Sequence, residues 1–262
     1  MENWTLKQVQ GDAEGGAATS PRLRRRFGRG RAARWKKIAV WDKYVLYIDG
    51  EAIVIDKPAG LAVHPGSRTP ESLEDYLKHF RFGFKRAPLP VHRLDRDTSG
   101  CLLLARNPKA HKRFQRAFEE KKVTKTYLAM LDGVPDAAEG AIDMPLGKVS
   151  SEAEGWRMVN DPEGRPSLTR WRTVAVRDGR AIILFSPETG RTHQIRVHAA
   201  DGLGIPISGD PVYGGSNGPM LLHALSIRVD RDGKPPVEAT APLPPTFLNA
   251  GLSEVLGDVL DD

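Results

Sequence analysis

Cysteine is almost missing from this sequence: Cys101 is the one thiol in 262 residues. No intramolecular disulfide framework can form, and a reducing compartment suits the chain. Cys101 sits in an apolar run, where it reads as core filler rather than a nucleophile. Long hydrophobic runs are missing too. None approaches the ~20 residues of a membrane span, and the N-terminus has no apolar signal-peptide core, so the expectation is a cytoplasmic protein without membrane contact. Neither a Walker pattern nor a Rossmann glycine fingerprint occurs, so no nucleotide cofactor is implied. His64, His92, His193, His198 and His223 fall in loops or near strand ends, but no pair has zinc-motif spacing and no Glu stands between His193 and His198 as a base. These imidazoles read as hydrogen-bonding parts of loops or as packing for a substrate. The expectation is chemistry without metal or cofactor.

Acids are absent from one stretch. Between Ser20 and Trp41 stand Arg22, Arg24, Arg25, Arg26, Arg29, Arg31, Arg34, Lys36 and Lys37, without an Asp or Glu. These nine cations exceed the whole chain's net +6, so the chain after Lys37 is close to neutral. A basic, Gly/Ala-rich arm of this kind contacts a polyanion through counterion release. The plainer alternatives are a solubilising tail or a transit peptide. The division expected is a flexible basic arm over residues 1–37 and a folded domain over 38–262.

What is present is a globular composition, 40% hydrophobic, in which hairpin patterns outnumber strand–helix–strand units. "YVLYIDGEAIVIDKP" turns at Asp49-Gly50, "SLTRWRTVAVRDGRAIILFSPETG" at Asp178-Gly179, and "HALSIRVDRDGKPPVEATAPL" forms a third hairpin. "KTYLAMLDG" reads as a strand. "SLEDYLKHF" reads as a short helix capped by Ser72, and "RTHQIRVHAA" as a helix starting near Thr192. "NPKAHKRFQRAFEEKK" is amphipathic, with Ala110, Phe114, Ala117 and Phe118 on one face. Lys109, Lys112, Arg113 and Arg116 form a second stripe, either a solvated face or an RNA contact. A Pro-rich turn and a short helix close the chain. The fold class is α+β, with a central mixed, mostly antiparallel sheet flanked by helices.

The densest chemistry lies in "PVHRLDRDTSGCLLLARN". Asp97-Thr98-Ser99-Gly100 is superficially like the Asp-Thr-Gly of aspartic proteases, but the order differs and no second copy supplies the partner carboxylate. Asp97 reads instead as an Asx-type turn onto Thr98, Ser99 and Gly100. Asp95 follows Leu94 at the end of an apolar approach. A semi-buried carboxylate there needs a partner: Arg93, Arg96 or a distant arginine.

This motif resembles the signature of the RluA-type pseudouridine synthases. "EAIVIDKPAGLAVHPG", "KKVTKTYLAMLDG", "GRPSLTRW", and "GRTHQIRVHAADGLGIPISGDPVYGG" followed by "LLHA" are similar to its other blocks, in order, from about Tyr44 to Phe247. The resemblance implies the pseudouridine synthase fold with a cleft across its sheet, and isomerisation of uridine in a folded RNA stem-loop, ribosomal or transfer, with the ribosomal large subunit favoured. It implies no cofactor, and a monomer is expected; residues 38–262 would be the catalytic domain, and residues 1–37 are too short and too poor in apolar residues for the S4 RNA-binding domain that many members of this family carry. By position Asp95 is the catalytic carboxylate, acting on ribose or base, and Arg196 is its arginine partner. Tyr127 is the ring that stacks on the flipped base. Arg93 fills the gap left in the RNA, Leu222 closes the pocket, and Arg191 and His193 contact RNA. The rival readings are a transfer-RNA enzyme, a non-catalytic RNA-binding or ribosome-assembly protein, and a metal nuclease. The set Asp95, Tyr127 and Arg196 argues against a pure binder, which has no use for a buried carboxylate facing an anion.

Overall fold

Each hairpin begins with a turn its sequence can close. At the first, the Asp49 carboxylate accepts the N–H groups of Glu51 and Ala52, both at 2.8 Å, reversing the chain between β1 (Val45–Ile48) and β2 (Ala52–Lys57). At the second, Asp178 and Gly179 have φ of 51° and 71°, the left-handed pair that a two-residue hairpin turn requires. In this computed structural model residues 41–66, 69, 71–151, 155–215 and 217–252 are described. They belong to one unit, Ala39–Asp262. The basic arm, with Arg24, Arg25 and Arg26, lies outside the described residues.

The remaining strands are β3 (Leu89–Pro90), β4 (Ser99–Ala105), β5 (Val123–Met130), β6 (Glu139–Asp143), β7 (Leu146–Ser151), β8 (Gly155–Asn160), β9 (Leu168–Arg177), β10 (Arg180–Pro187), β11 (Leu222–Arg231) and β12 (Lys234–Thr240). Ten strands make one sheet in the order β1-β2-β4-β11-β5-β10-β9-β6, with β12 beside β11 and β3 beside β4; β7 and β8 pair separately. Of the pairings between the strands named here, only β4 with β11 is parallel, which makes the sheet mixed and mostly antiparallel as expected. There Gly100, at φ 104°, crosses so close to β11 that a Cβ would lie 2.2 Å from the Ala224 carbonyl oxygen. Only glycine fits.

Strand periodicity divides the core. Ala129, Ile183 and Phe185 face one side, packing with Ile195, Val197 and Ala199; Leu128, Met130, Ile182 and Leu184 face the other, packing with Phe247. A third cluster joins Val54, Cys101 and Leu103 to Ala110 and Phe114 of α1 (Pro108–Glu119). Asn107 caps α1 by accepting the Ala110 N–H at 2.9 Å. Cys101 is buried core, and burial pushes its thiol up to about 12.

The short helix expected after Ser72 is present as a 3₁₀ helix, Leu73–Phe80, with Ser72 at its N-cap and the Asp75 carboxylate accepting the Ser72 N–H at 2.9 Å. Two local expectations are corrected. The helix expected from Thr192 starts at Gln194: α2 (Gln194–Val197) runs into a π turn, His198–Gly202, because His193 takes a left-handed φ of 53°. Asp97 does not close an Asx turn. Its carboxylate pairs with the Arg96 guanidinium at 2.9 Å, and the turn is closed by backbone, Thr98 N–H to the Asp95 carbonyl at 3.2 Å. An adjacent cation outcompetes loop amides for an ionised carboxylate. Ser99 starts β4, and its hydroxyl meets His223 Nδ1 at 2.8 Å.

Candidate active site

A cleft opens where the start of β4, the middle of β5, the end of β10 and the start of β11 converge. Arg93, Asp95, Tyr127, Arg191, His193, Arg196 and Leu222 all line it. Sequence-distant segments therefore deliver seven of the residues singled out above to one place. Lys109, Lys112, Arg113 and Arg116 are not among them; they stand on α1, away from the cleft. There Arg113 pairs with Glu51 and Arg116 with Glu120, leaving Lys109 and Lys112 as the cations of the stripe without a described ion pair.

Asp95 is partnered by the distant arginine rather than its neighbours. Arg196 Nη1 donates to Asp95 Oδ2 at 3.2 Å, while its Nε and Nη2 form a two-pronged pair with Asp210, both at 2.7 Å. Asp210 also accepts the N–H groups of Val212 (2.8 Å) and Tyr213 (3.1 Å). Burial alone would raise the Asp210 carboxyl, but the Arg196 bonds outweigh it and hold the group below its ordinary value. Burial likewise opposes the Arg196 charge, and its two carboxylate partners override it, so the guanidinium stays charged. The arrangement holds a cation rigidly against a half-buried carboxylate before any substrate arrives.

His193 completes the wall. Tyr213 Oη accepts the Met158 N–H at 3.0 Å and is hydrogen-bonded to His193 Nδ1 at 2.9 Å. His193 Nε2 lies 3.9 Å from Asp95 Oδ2. Burial lowers the His193 pKa against the pull of Asp95, which keeps the ring neutral. Trp156, from β8, stacks over it at 5.1 Å. Tyr127 stands across the cleft on β5, and burial followed by the charge of Asp95 raises its phenol well above its usual range. Leu222 is buried at the start of β11 and Arg93 is exposed at the mouth.

Two supports had no legible signal. Gln194 uses its whole amide: Oε1 accepts from Thr189 Oγ1 (2.7 Å) and the Arg191 N–H (2.9 Å), and Nε2 donates to the Leu168 carbonyl (3.0 Å) and Thr169 Oγ1 (2.9 Å). Lys57 is 0% exposed, and its Nζ donates to the carbonyls of Pro58 and Leu61 at 2.8 Å and of Arg96 at 3.3 Å. It thereby staples the 58–61 loop to the turn carrying Asp95. Burial pulls its pKa down to about 7, against the attraction of Asp97, Asp95 and Asp56. Lys57→Met keeps the stem and removes the donor from three carbonyls. The expected loss is about 3 kcal/mol of stability, with activity falling alongside. Urea unfolding checks it, and an unmoved midpoint would show that those carbonyls do not depend on Lys57.

Over residues 51–201 the chain matches the family described as RNA pseudouridylate synthase. It is 54% identical over 213 residues to an uncharacterized RNA pseudouridine synthase of Zymomonas mobilis, covering 80% of this chain and 97% of that one. To ribosomal large subunit pseudouridine synthase C of Rickettsia bellii it is 37% identical, over 73% of this chain and 64% of that relative. Among solved structures, human RNA pseudouridylate synthase domain containing 1 superimposes with a TM-score of 0.63 at 31% identity, covering 76% of this chain and 83% of that one. With a mixed α+β sheet, the cleft across it and these likenesses together, the chain belongs to the RNA pseudouridylate synthase family, in its RluA-type branch, as an isomerase acting on RNA.

Proposed function

We propose that this enzyme converts uridine to pseudouridine in large-subunit ribosomal RNA, with Asp95 as the essential carboxylate. The observation that carries the reading is the Asp95–Arg196–Asp210 array facing Tyr127 in one cleft. The large-subunit substrate rests on the names of relatives such as the Rickettsia enzyme. The reaction is balanced within the nucleotide. The N1–C1′ bond breaks, the freed base turns, C5 bonds to C1′, the C5 proton leaves and N1 gains one. Nothing is oxidised and no cofactor is consumed.

Each group has its own physical part. Arg196 donates to the Asp95 carboxylate at 3.2 Å and holds it in the cleft, where a preorganised cation stands beside the group that meets ribose or base. Tyr127 offers its ring to the flipped base, and stacking of that kind is worth ~1–3 kcal/mol, comparable to the cost of extrusion. Arg93 at the mouth takes the place the uridine leaves in the RNA. Arg191 and His193, on the same wall, contact the RNA around it.

The test is pseudouridine mapping of total RNA from cells with and without the gene. A large-subunit site that vanishes without it and returns with the wild-type gene supports the reading; a site that vanishes only from transfer RNA overturns the substrate, and no vanished site overturns the function. The basic arm is proposed to add sequence-independent affinity. Deleting residues 1–37 is expected to weaken RNA binding and flatten its salt dependence, by roughly 0.7–0.9 in log–log slope for each phosphate no longer neutralised. Activity on a small stem-loop should survive. An unchanged slope would make the arm a leader only.

A further inference from the structure

Residues 78–86, "KHFRFGFKR", run from the last turn of the 3₁₀ segment toward β3 and carry Lys78, Arg81, Lys85 and Arg86 with no acid. On a body otherwise near neutral this concentration stands out, and none of the four is in an ion pair with a described carboxylate. Phe80 between them is fully buried, but Phe82 is 39% and Phe84 37% exposed. Phe82 also has φ 41°, followed by Gly83 at 87°. A left-handed phenylalanine is strained, and the Phe82 ring offsets part of that strain through an edge-to-face contact with Phe80, 6.3 Å between centroids.

The strain is held by a buried clamp. Arg106, directly after β4, donates Nη2 to the carbonyls of Phe82 (2.8 Å) and Arg81 (3.2 Å) and Nη1 to that of Asp49. Its guanidinium carbon lies 3.9 Å from the Phe84 ring centroid, so that ring rests on a cation. The result is a turn locked so that two rings project among four cations. The site is separate from the cleft: Asp95 precedes β4 and Arg106 follows it, and a seven-residue strand spans roughly 23 Å. The charge continues beyond the loop. His111 Nε2 donates to the Pro90 carbonyl at 3.1 Å, setting the start of α1, with Lys109 and Lys112, against β3.

We propose that this loop is a second RNA-binding site, where a single-stranded stretch flanking the modified element stacks bases on Phe82 and Phe84 while Arg81, Lys85 and Arg86 take its phosphates. Exposed rings interleaved with unpaired cations are the chemistry of single-strand recognition. Two rings within a cationic rim are too small an apolar area for a stable protein interface. The site does not depend on Asp95 or on which RNA is modified.

The experiment is fluorescence anisotropy of the full-length chain with labelled oligouridylate of about twenty nucleotides, long enough to cover one such site, and with polyphosphate as a polyanion without bases. Phe84→Ala is expected to weaken oligouridylate about tenfold and to leave polyphosphate unchanged, with Phe84→Tyr restoring it. Lys85→Gln with Arg86→Gln should weaken both and lower the salt slope by roughly 1.4. Phe82→Gly separates stability from binding: relief of the left-handed strain offsets the lost Phe80 contact, so the thermal midpoint should move by no more than about 2 °C while oligouridylate affinity falls. If Phe84→Ala and Phe82→Gly left oligouridylate binding unchanged, the proposal would be overturned, even with the charge variants weakened, because the loop would then be a polyanion surface without stacking. Loss of all pseudouridine formation in Asp95→Asn with these affinities intact would leave it standing.

Discussion

Asp95→Asn is expected to abolish pseudouridine formation while leaving RNA binding nearly unchanged. The substitution preserves shape, and the amide oxygen can still accept from Arg196 Nη1, which lies 3.2 Å from Asp95 Oδ2. Arg196 also keeps both bonds to Asp210, so the wall of the cleft should stand. What disappears is the negative charge and the lone-pair basicity that any of the routes open to Asp95 requires. The expected loss is at least about 10⁴-fold in the single-turnover rate, equivalent to ~5 kcal/mol or more of transition-state stabilisation. Single-turnover kinetics on the RNA identified by mapping, beside an affinity measurement on the same RNA, checks it. A residual rate well above that floor would show that Asp95 is not the essential group.

The second large effect lies behind Arg196, which stands between Asp210 and Asp95. Asp210 is 0% exposed at its side chain and receives the two-pronged pair from Arg196, so Asp210→Asn leaves a buried guanidinium with one charged partner instead of two. Breaking a buried pair from one side costs about 3–5 kcal/mol. Activity should fall with stability, since Arg196 is deprived of the group that fixes its plane toward Asp95. The pH dependence carries a signature. The folded Asp210 carboxyl lies below its ordinary 3.8, so its contribution is fully present above that value and is lost as pH falls through the folded value. In urea titrations the gap between wild type and Asp210→Asn should be wide near neutral pH and narrow once the medium is acidic enough to protonate Asp210. An equally wide gap in acid would mean that the carboxylate charge is not what stabilises the native state.

The hairpins were legible because their turns are local. Asp49-Gly50 and Asp178-Gly179 close with side chains and φ values that neighbouring residues dictate, and α1 carries its cap, its proline and its apolar face in one stretch. Misreadings arose where a distant or charged partner outbid a local one. Asp97 had an Asx turn available and took Arg96 instead. The helix through His193 starts late because the imidazole is fixed in a left-handed position between Trp156 and Tyr213, residues of two other segments. Strands β6 to β8 carry no clean inward–outward alternation, with Val149 and Trp156 among their exposed residues, and pairing rather than pattern makes them strands.

The same division runs through the site. Asp95, Tyr127, Arg93, Arg191, His193, Arg196 and Leu222 were named from short motifs, since each block carries its own chemistry wherever the chain places it. Asp210 and Lys57 stand within two of those blocks, "GDPVYGG" and "DKPAG", yet neither showed a role. An aspartate fourteen residues from an arginine becomes its partner only when α2 and the following loop bring them to 2.7 Å. A lysine at the end of a strand becomes a staple only when the Asp95 turn folds over it and water is excluded. Residue types, turns and the order of blocks were thus determined by the sequence itself, because they rest on local sterics and on the chemistry of single side chains. Which charges meet, and which are buried, was decided by the tertiary structure, because those energies depend on distance and dielectric, which exist only once the sheet has assembled.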